Sequence, residues 1–304
     1  MVWSNDPVPD RFDTVRCAQS SRDDAEPLIG TAPTETRYLF VEHAGPWGRF
    51  AVADSRLPED VRDHLTDADG VRVQLIRRHG GEAGPGIRVF AATADPATTD
   101  GRARVESAVL DGTEALLDLD LSGFASSGTL GLPAYDDDLW LVCTNGRRDL
   151  CCADLGRATT AALAERWPEA TWETTHLGGH RFAATLLALP SLVTLGRLLP
   201  HQAVTVCTDL AEGRVPLAHS RGRAGWPPAA QVADHHVRCE LGLEPVEGIT
   251  LVDVDHDVVT LSVAGEDWRV AVTTTSGEPR RQSCAGDTLK ATAVHRIDAM
   301  TRVG

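Results

Sequence analysis

Two pairs of residues in this sequence have the types and spacing of metal ligands. Cys143 and Cys152 lie nine positions apart in "VCTNGRRDLCC", and His176 and His180 lie four apart in "THLGGH". Two soft thiolates with two imidazoles suit either a zinc ion or a [2Fe–2S] cluster. A zinc knuckle separates its cysteines by about two to four residues. Eight intervene here, a loop better matched to a two-iron centre. Cys151, next to Cys152, offers an alternative sulfur. Gly178 and Gly179 let the backbone approach a bulky group and take positive φ. Taken singly, Cys143 reads as a buried strand cysteine and each histidine as part of a hydrogen-bonded turn. Taken together, the four read as a site, with Arg148, Asp149, Gly178 and Gly179 as its supporting loops.

These pairs are positioned by elements visible in the pattern. "LWLVCT" reads as a buried strand, "ATTAALAERW" as a helix, and "ATWETTHL" as a second strand. "RFAATLLALPSLVTLGRL" reads as a hairpin turning at Pro190-Ser191, with a helix from about His201. Strand, helix, strand and hairpin is the order of a thioredoxin-like layer, in which neighbouring strand ends face one another. Upstream, residues 1–36 read as an irregular arm. "RYLFVEHAG", "VRVQLIRR", "IRVFAATA" and "ALLDLDL" then read as strands, and "PEDVRDHLTDA" as a helix. Downstream, one helix, which His235-His236 cap or flank, precedes at least three alternating strands. No internal repeat is visible. The predicted fold class is α/β. An N-terminal α/β unit (1–134) leads into a thioredoxin-like ferredoxin domain (135–215), followed by a C-terminal helix and small β-rich appendage (216–304).

Composition excludes several functions. The net charge of −15 disfavours nucleic-acid binding, because the phosphate backbone would be repelled. Lys290 is the only lysine, which excludes a lysine-dependent phosphate-binding loop and most Schiff-base chemistry. No apolar run reaches the roughly 18 residues of a membrane span. The acidic, Pro-broken start "MVWSNDPVPDRFD" does not resemble a secretion signal, so a cytoplasmic location is expected. Seven cysteines in such a compartment point to thiols, metal ligands or redox chemistry rather than a disulfide framework. By default Cys17, Cys207, Cys239 and Cys284 read as free thiols, Cys284 in a polar loop.

The motifs "CTNGRRDLCC" and "HLGGHRFA" resemble those of the sucrase/ferredoxin-like family of thioredoxin-like [2Fe–2S] proteins. "CAQSSRDDAEPLIGTAP", "VEHAGPWG" and "RGRAGWPPAAQ" are similar to its actinobacterial members. The resemblance covers most of residues 17–230. It implies a cluster held by Cys143, Cys152, His176 and His180, and it departs from the family at Asn145, where histidine is frequent. No carboxylate pair for sugar chemistry supports the name's "sucrase".

Two neutral imidazoles in place of two thiolates bring an oxidised two-iron cluster from a charge of −2 to zero, which makes reduction easier. Bis-histidine Rieske centres lie at roughly −150 to +300 mV, against about −400 mV for all-cysteine plant-type ferredoxins. The expected function is therefore one-electron transfer between a reductase and an acceptor protein, rather than catalysis on a substrate of its own. Two alternatives are a thiol–disulfide oxidoreductase, against which stands the lack of C-x-x-C at the strand–helix junction, and a structural zinc protein.

Overall fold

The computed structural model describes residues 16–81, 84–95, 101–286 and 288–303. A short helix α1 (Cys17–Asp23) leads into β1 (Arg37–Glu42), α2 (Glu59–Thr66), β2 (Arg72–Arg77), β3 (Ile87–Thr93), β4 (Arg104–Leu110) and α3 (Leu121–Ser127). The second set follows as β5 (Leu139–Cys143), α4 (Leu150–Arg166), β6 (Thr171–Thr174), β7 (Leu186–Leu189), β8 (Val193–Leu195), α5 (Pro200–Ala211) and β9 (Ser220–Arg223). Nine strands form one mixed sheet in the order β4-β3-β1-β2-β6-β5-β7-β8-β9.

That order contains a topological repeat. In each half a strand, a helix and a parallel strand are followed by two antiparallel strands: β2-β1-β3-β4 in the first, β6-β5-β7-β8 in the second. The halves meet edge to edge where β2 pairs antiparallel with β6, Arg77 lying opposite Glu173. An ion pair of 2.7 Å ties those two side chains. Thr144 Oγ1 donates to the same Glu173 carboxylate at 2.9 Å, so the joint is fastened directly to the residue after Cys143. Burial pushes the Glu173 pKa up, but Arg77, Thr144 and His79 together hold it below the usual range.

The central strands are buried on both faces, as strands covered by helices must be. In β5 the faces alternate: Leu139, Leu141 and Cys143 pack with Tyr38, Phe90 and Trp172, whereas Trp140 and Val142 pack with Leu163, Leu186 and Cys207. Each large apolar side chain so buried contributes roughly 1.5–3 kcal/mol. Cys143 thus inherits its direction from strand periodicity.

The C-terminal region is separate and β-rich. Helix α6 (Pro228–Leu241) is followed by β10 (Ile249–Asp255), β11 (Val258–Val263), β12 (Glu266–Ser276), β13 (Arg280–Arg281), β14 (Leu289–Lys290) and β15 (Ala293–Arg302). β10, β11, β12 and β15 make an antiparallel sheet, and β13 pairs with β14. Ala230, Ala233 and Val237 of α6 cover the larger sheet through Val259, Leu261 and Val270.

Three expectations are corrected and one strand is added. The stretch "ALLDLDL" is a 3₁₀ turn over Glu114–Asp118 followed by α3, not a strand. Asp120 caps that helix by accepting the Gly123 N–H at 2.8 Å, and this cap prevails over the alternation of Leu and Asp. Part of the supposed irregular arm is α1; its residues 1–15 lie outside the described residues. "SRGR" is the edge strand β9, unanticipated because its side chains are polar yet buried. His235 and His236 sit inside α6 rather than at its end.

Candidate metal centre

The turn after β5 folds back on itself, with the Arg148 and Asp149 N–H groups donating to Asn145 O at 3.1 and 3.2 Å. Asp149 then caps α4, its Oδ1 accepting the Cys151 N–H at 2.9 Å. Gly156, nearly two turns into α4, lies against the Cys143 carbonyl; a Cβ there would stand 2.1 Å from that oxygen. Only glycine lets the helix lie so close to the strand end. Because consecutive helical residues point about 100° apart, Cys151 and Cys152 diverge. Cys152 turns toward Cys143, and Cys151 turns toward Cys17 and Cys284.

The histidines come from the end of β6. Thr175 N–H donates to Leu75 O at 2.9 Å, and Arg72 Nη2 donates to His176 O at 2.9 Å. These bonds fix the backbone at His176. Gly179 then takes a left-handed conformation (φ 68°, ψ 42°), and His180 opens a 3₁₀ turn. Arg221 locks the loop from beneath: Nη1 donates to Gly178 O at 3.1 Å and Nε to Thr31 Oγ1 at 3.1 Å, while Nη2 reaches Thr31 O.

Cys143 Sγ, Cys152 Sγ and a His176 ring nitrogen lie within 4.8 Å of one another. His180 stands beside this trio, its ring centroid 5.0 Å from that of His176, and its Nε2 3.7 Å from Asp149 Oδ2. Both ring nitrogens of His180, and Nδ1 of His176, are buried without a hydrogen-bond partner among the described residues. An unsatisfied buried polar atom costs about 1–3 kcal/mol. Two imidazoles with unsatisfied nitrogens, one of them gathered with two thiols, fit a group that accepts nitrogen and sulfur donors together.

The electrostatics agree. The Cys152 thiol beside it holds Cys143 well below the usual cysteine range, against burial and with help from His176. The same contact with Cys143, reinforced by burial, pushes Cys152 well above that range. Without a cation the two sulfurs therefore share one proton, and a metal would displace it. Burial holds His180 below the ordinary histidine value, although Asp149 opposes this, so the ring is neutral and able to ligate near pH 7. Burial also pushes Arg221 down to about 9, with repulsion from Arg181 and Arg72 adding to it.

Of the supporting residues read from the sequence, Asp149, Gly178 and Gly179 touch the framework as described, and Arg148 closes the turn. Arg221, Arg72 and Gly156 were not legible as contributors, since nothing in spacing alone connects them to the two pairs. Cys17 and Cys284, read as default free thiols, are drawn together with Cys151, and Cys284 is 4% exposed despite its polar loop.

Gly179→Ala is expected to destabilise the protein by about 1–3 kcal/mol. Its Cβ would enter a left-handed backbone and meet Arg221 Nη2 at 2.5 Å. The guanidinium cannot yield without releasing its bonds to Gly178 and Thr31. Thermal unfolding, read together with retention of bound metal, checks this. An unchanged midpoint would show that the loop tolerates a side chain.

Compared with known proteins, residues 28–222 match the family described as Sucrase/ferredoxin-like. No curated protein and no solved structure matches the chain.

Proposed function

The chain belongs to the Sucrase/ferredoxin-like family, and we propose that it is a one-electron carrier whose [2Fe–2S] cluster is held by Cys143, Cys152, His176 and His180. When bound, such a cluster accepts and releases single electrons. The observation that carries the reading is the compact Cys143–Cys152–His176 trio with His180 beside it, three of the imidazole nitrogens being buried without a hydrogen bond among the described residues. We read the β6-β5-β7-β8 order as a thioredoxin-like layer, whose strand ends gather these donors.

Each residue has a distinct part. Cys143 and Cys152, each 1% exposed, hold the sulfur side away from water. Imidazole ligands at 176 and 180 would add no negative charge to the centre, which would favour the reduced state relative to a four-thiolate centre. The buried Arg221 guanidinium fixes the glycine loop and adds positive potential. The histidine side is the open one: the His180 side chain is 15% exposed, and a Cβ on Gly178 would meet nothing within 4 Å. Redox partners, a reductase and an acceptor, would approach there. Among the described residues no helix is long and apolar enough to cross a membrane.

The same donors suit zinc, and the decisive experiment separates the two. Protein purified without oxygen should be reddish brown, with two irons and two acid-labile sulfides per chain. Colourless protein holding one zinc at these residues would overturn the proposal. The midpoint potential should also fall as pH rises, because an imidazole that loses its free N–H proton stabilises the oxidised form; the limiting slope is about 59 mV per unit for one proton and one electron. A potential near −400 mV that does not vary with pH would contradict the histidine ligation.

A further inference from the structure

A second buried cluster of donors lies on the other side of Asp149. The Cys17 and Cys151 sulfurs are 3.7 Å apart, Cys151 and Cys284 3.3 Å, and Cys284 and Cys17 3.5 Å. Asp149 Oδ1 is 3.5 Å from Cys17 Sγ. All four residues are buried, and the three cysteines are free thiols. They come from three remote places: the first residue of α1, the first turn of α4, and the loop between β13 and β14.

We propose that Cys17, Cys151, Cys284 and Asp149 form a second metal site, which takes a zinc ion. The site does not depend on what the first one holds. Four ligands around one zinc at about 2.3 Å stand about 3.8 Å apart in a tetrahedron, and the three sulfur separations are already within half an ångström of that. Thiolates bound to different irons of a cluster would stand farther apart than thiolates on one ion, so this spacing selects a single ion. Three sulfurs and a carboxylate, all from buried residues, match a closed structural site.

Asp149 has the capacity for this role. A carboxylate offers about four lone-pair sites. Oδ1 accepts the Cys151 N–H at 2.9 Å and, on its other side, the longer contact from Cys17 Sγ at 3.5 Å; Oδ2 accepts Ser283 Oγ at 3.0 Å and the Cys284 N–H at 2.8 Å. A lone pair of Oδ1 therefore remains on the side of Cys17. The Cys17 N–H points at Cys284 Sγ from 3.5 Å, a contact that favours thiolate there. Zinc binding would release the thiol protons to solvent and leave three thiolates on the ion.

The surroundings explain why a metal is needed. The sulfurs pack with Ala18 and Ala183, with Leu150 and Leu155 at the margin, so this corner buries little apolar area. The elements it joins are small: α1 has seven residues, and β13 and β14 have two each. Small pieces without a core of their own are held by staples such as structural metals.

The test measures zinc and iron in the full-length chain, grown with zinc and purified without chelators. Cys284→Ser and Cys17→Ser should each lose one zinc per chain while the colour and iron of the first site persist, and Cys143→Ser should retain that zinc. Unaltered protein without zinc, zinc that Cys284→Ser and Cys17→Ser both retain, or a disulfide among the three cysteines by thiol titration, would overturn the proposal. If the serine variants do not fold, X-ray absorption at the zinc edge of the unaltered chain decides. A shell of three sulfurs and one oxygen supports the site; no zinc, or a shell of two sulfurs and two nitrogens, refutes it.

Discussion

Cys143→Ser protein is expected to emerge colourless, with iron below about a tenth of the unaltered chain's content. A hydroxyl is a poor stand-in for thiolate: it is harder, less readily deprotonated, and forms weaker bonds to iron. Loss of even an outer partner costs about 10–100-fold in metal affinity, so loss of a direct ligand should cost more. Rescue by a neighbouring thiol is blocked by geometry, because Cys151 points from its helix into the opposite cluster. The fold should survive, since serine is close in volume and Cys143 sits where β5 is already held by β6 and β7. Far-ultraviolet circular dichroism alongside iron analysis checks both halves of the statement. A coloured variant with full iron would remove Cys143 from the ligand set.

Asp149→Ala should be the most destabilising single change near the site, by about 3–5 kcal/mol. Asp149 is 3% exposed, and its carboxylate serves the Cys151 and Cys284 N–H groups and Ser283 Oγ, besides the longer contact from Cys17 Sγ. Loss of the helix cap accounts for about 0.5–2 kcal/mol. Stranding the Cys284 N–H in a buried place adds about 1–3 kcal/mol, and the unpartnered Ser283 hydroxyl adds a little more. At roughly 2–4 °C per kcal/mol for a chain of this order of size, the melting temperature should fall by about 10 °C. Asp149→Asn keeps an acceptor oxygen but turns an amide N–H₂ toward existing donors, so an intermediate loss is expected. Calorimetry of the two variants tests the account; a loss under about 1 kcal/mol for Asp149→Ala would show that the bridge between α4 and the C-terminal loop is dispensable.

Much of the site's frame was legible because it is local. "LWLVC" alternates between two cores as written, and the strand–helix–strand run brings Cys143 and His176 to neighbouring ends of a parallel pair. The hairpin at Pro190-Ser191 likewise falls between β7 and β8. What was not legible depends on distant contacts. The repeat of strand order between the two halves leaves no trace in residue identity, since topology is dictated by burial pattern and connection length rather than by particular side chains. Arg221 reads in sequence as an ordinary cation of "SRGR", and only its burial under Gly178 and Thr31 gives it a role. Cys17 and Cys284 carried no spacing signal whatever, because 267 positions separate them.

That separation sets an order of assembly during synthesis. Cys143 and His180 are 37 positions apart, so a nascent chain can gather the first set of donors before Cys284 is made. Joining Cys17 to Cys284 must wait until the tail has left the ribosome, and closing the longer loop costs about 1.7 kcal/mol more in chain entropy. A chain broken off before residue 284 would leave the Cys17 and Cys151 sulfurs without their third neighbour.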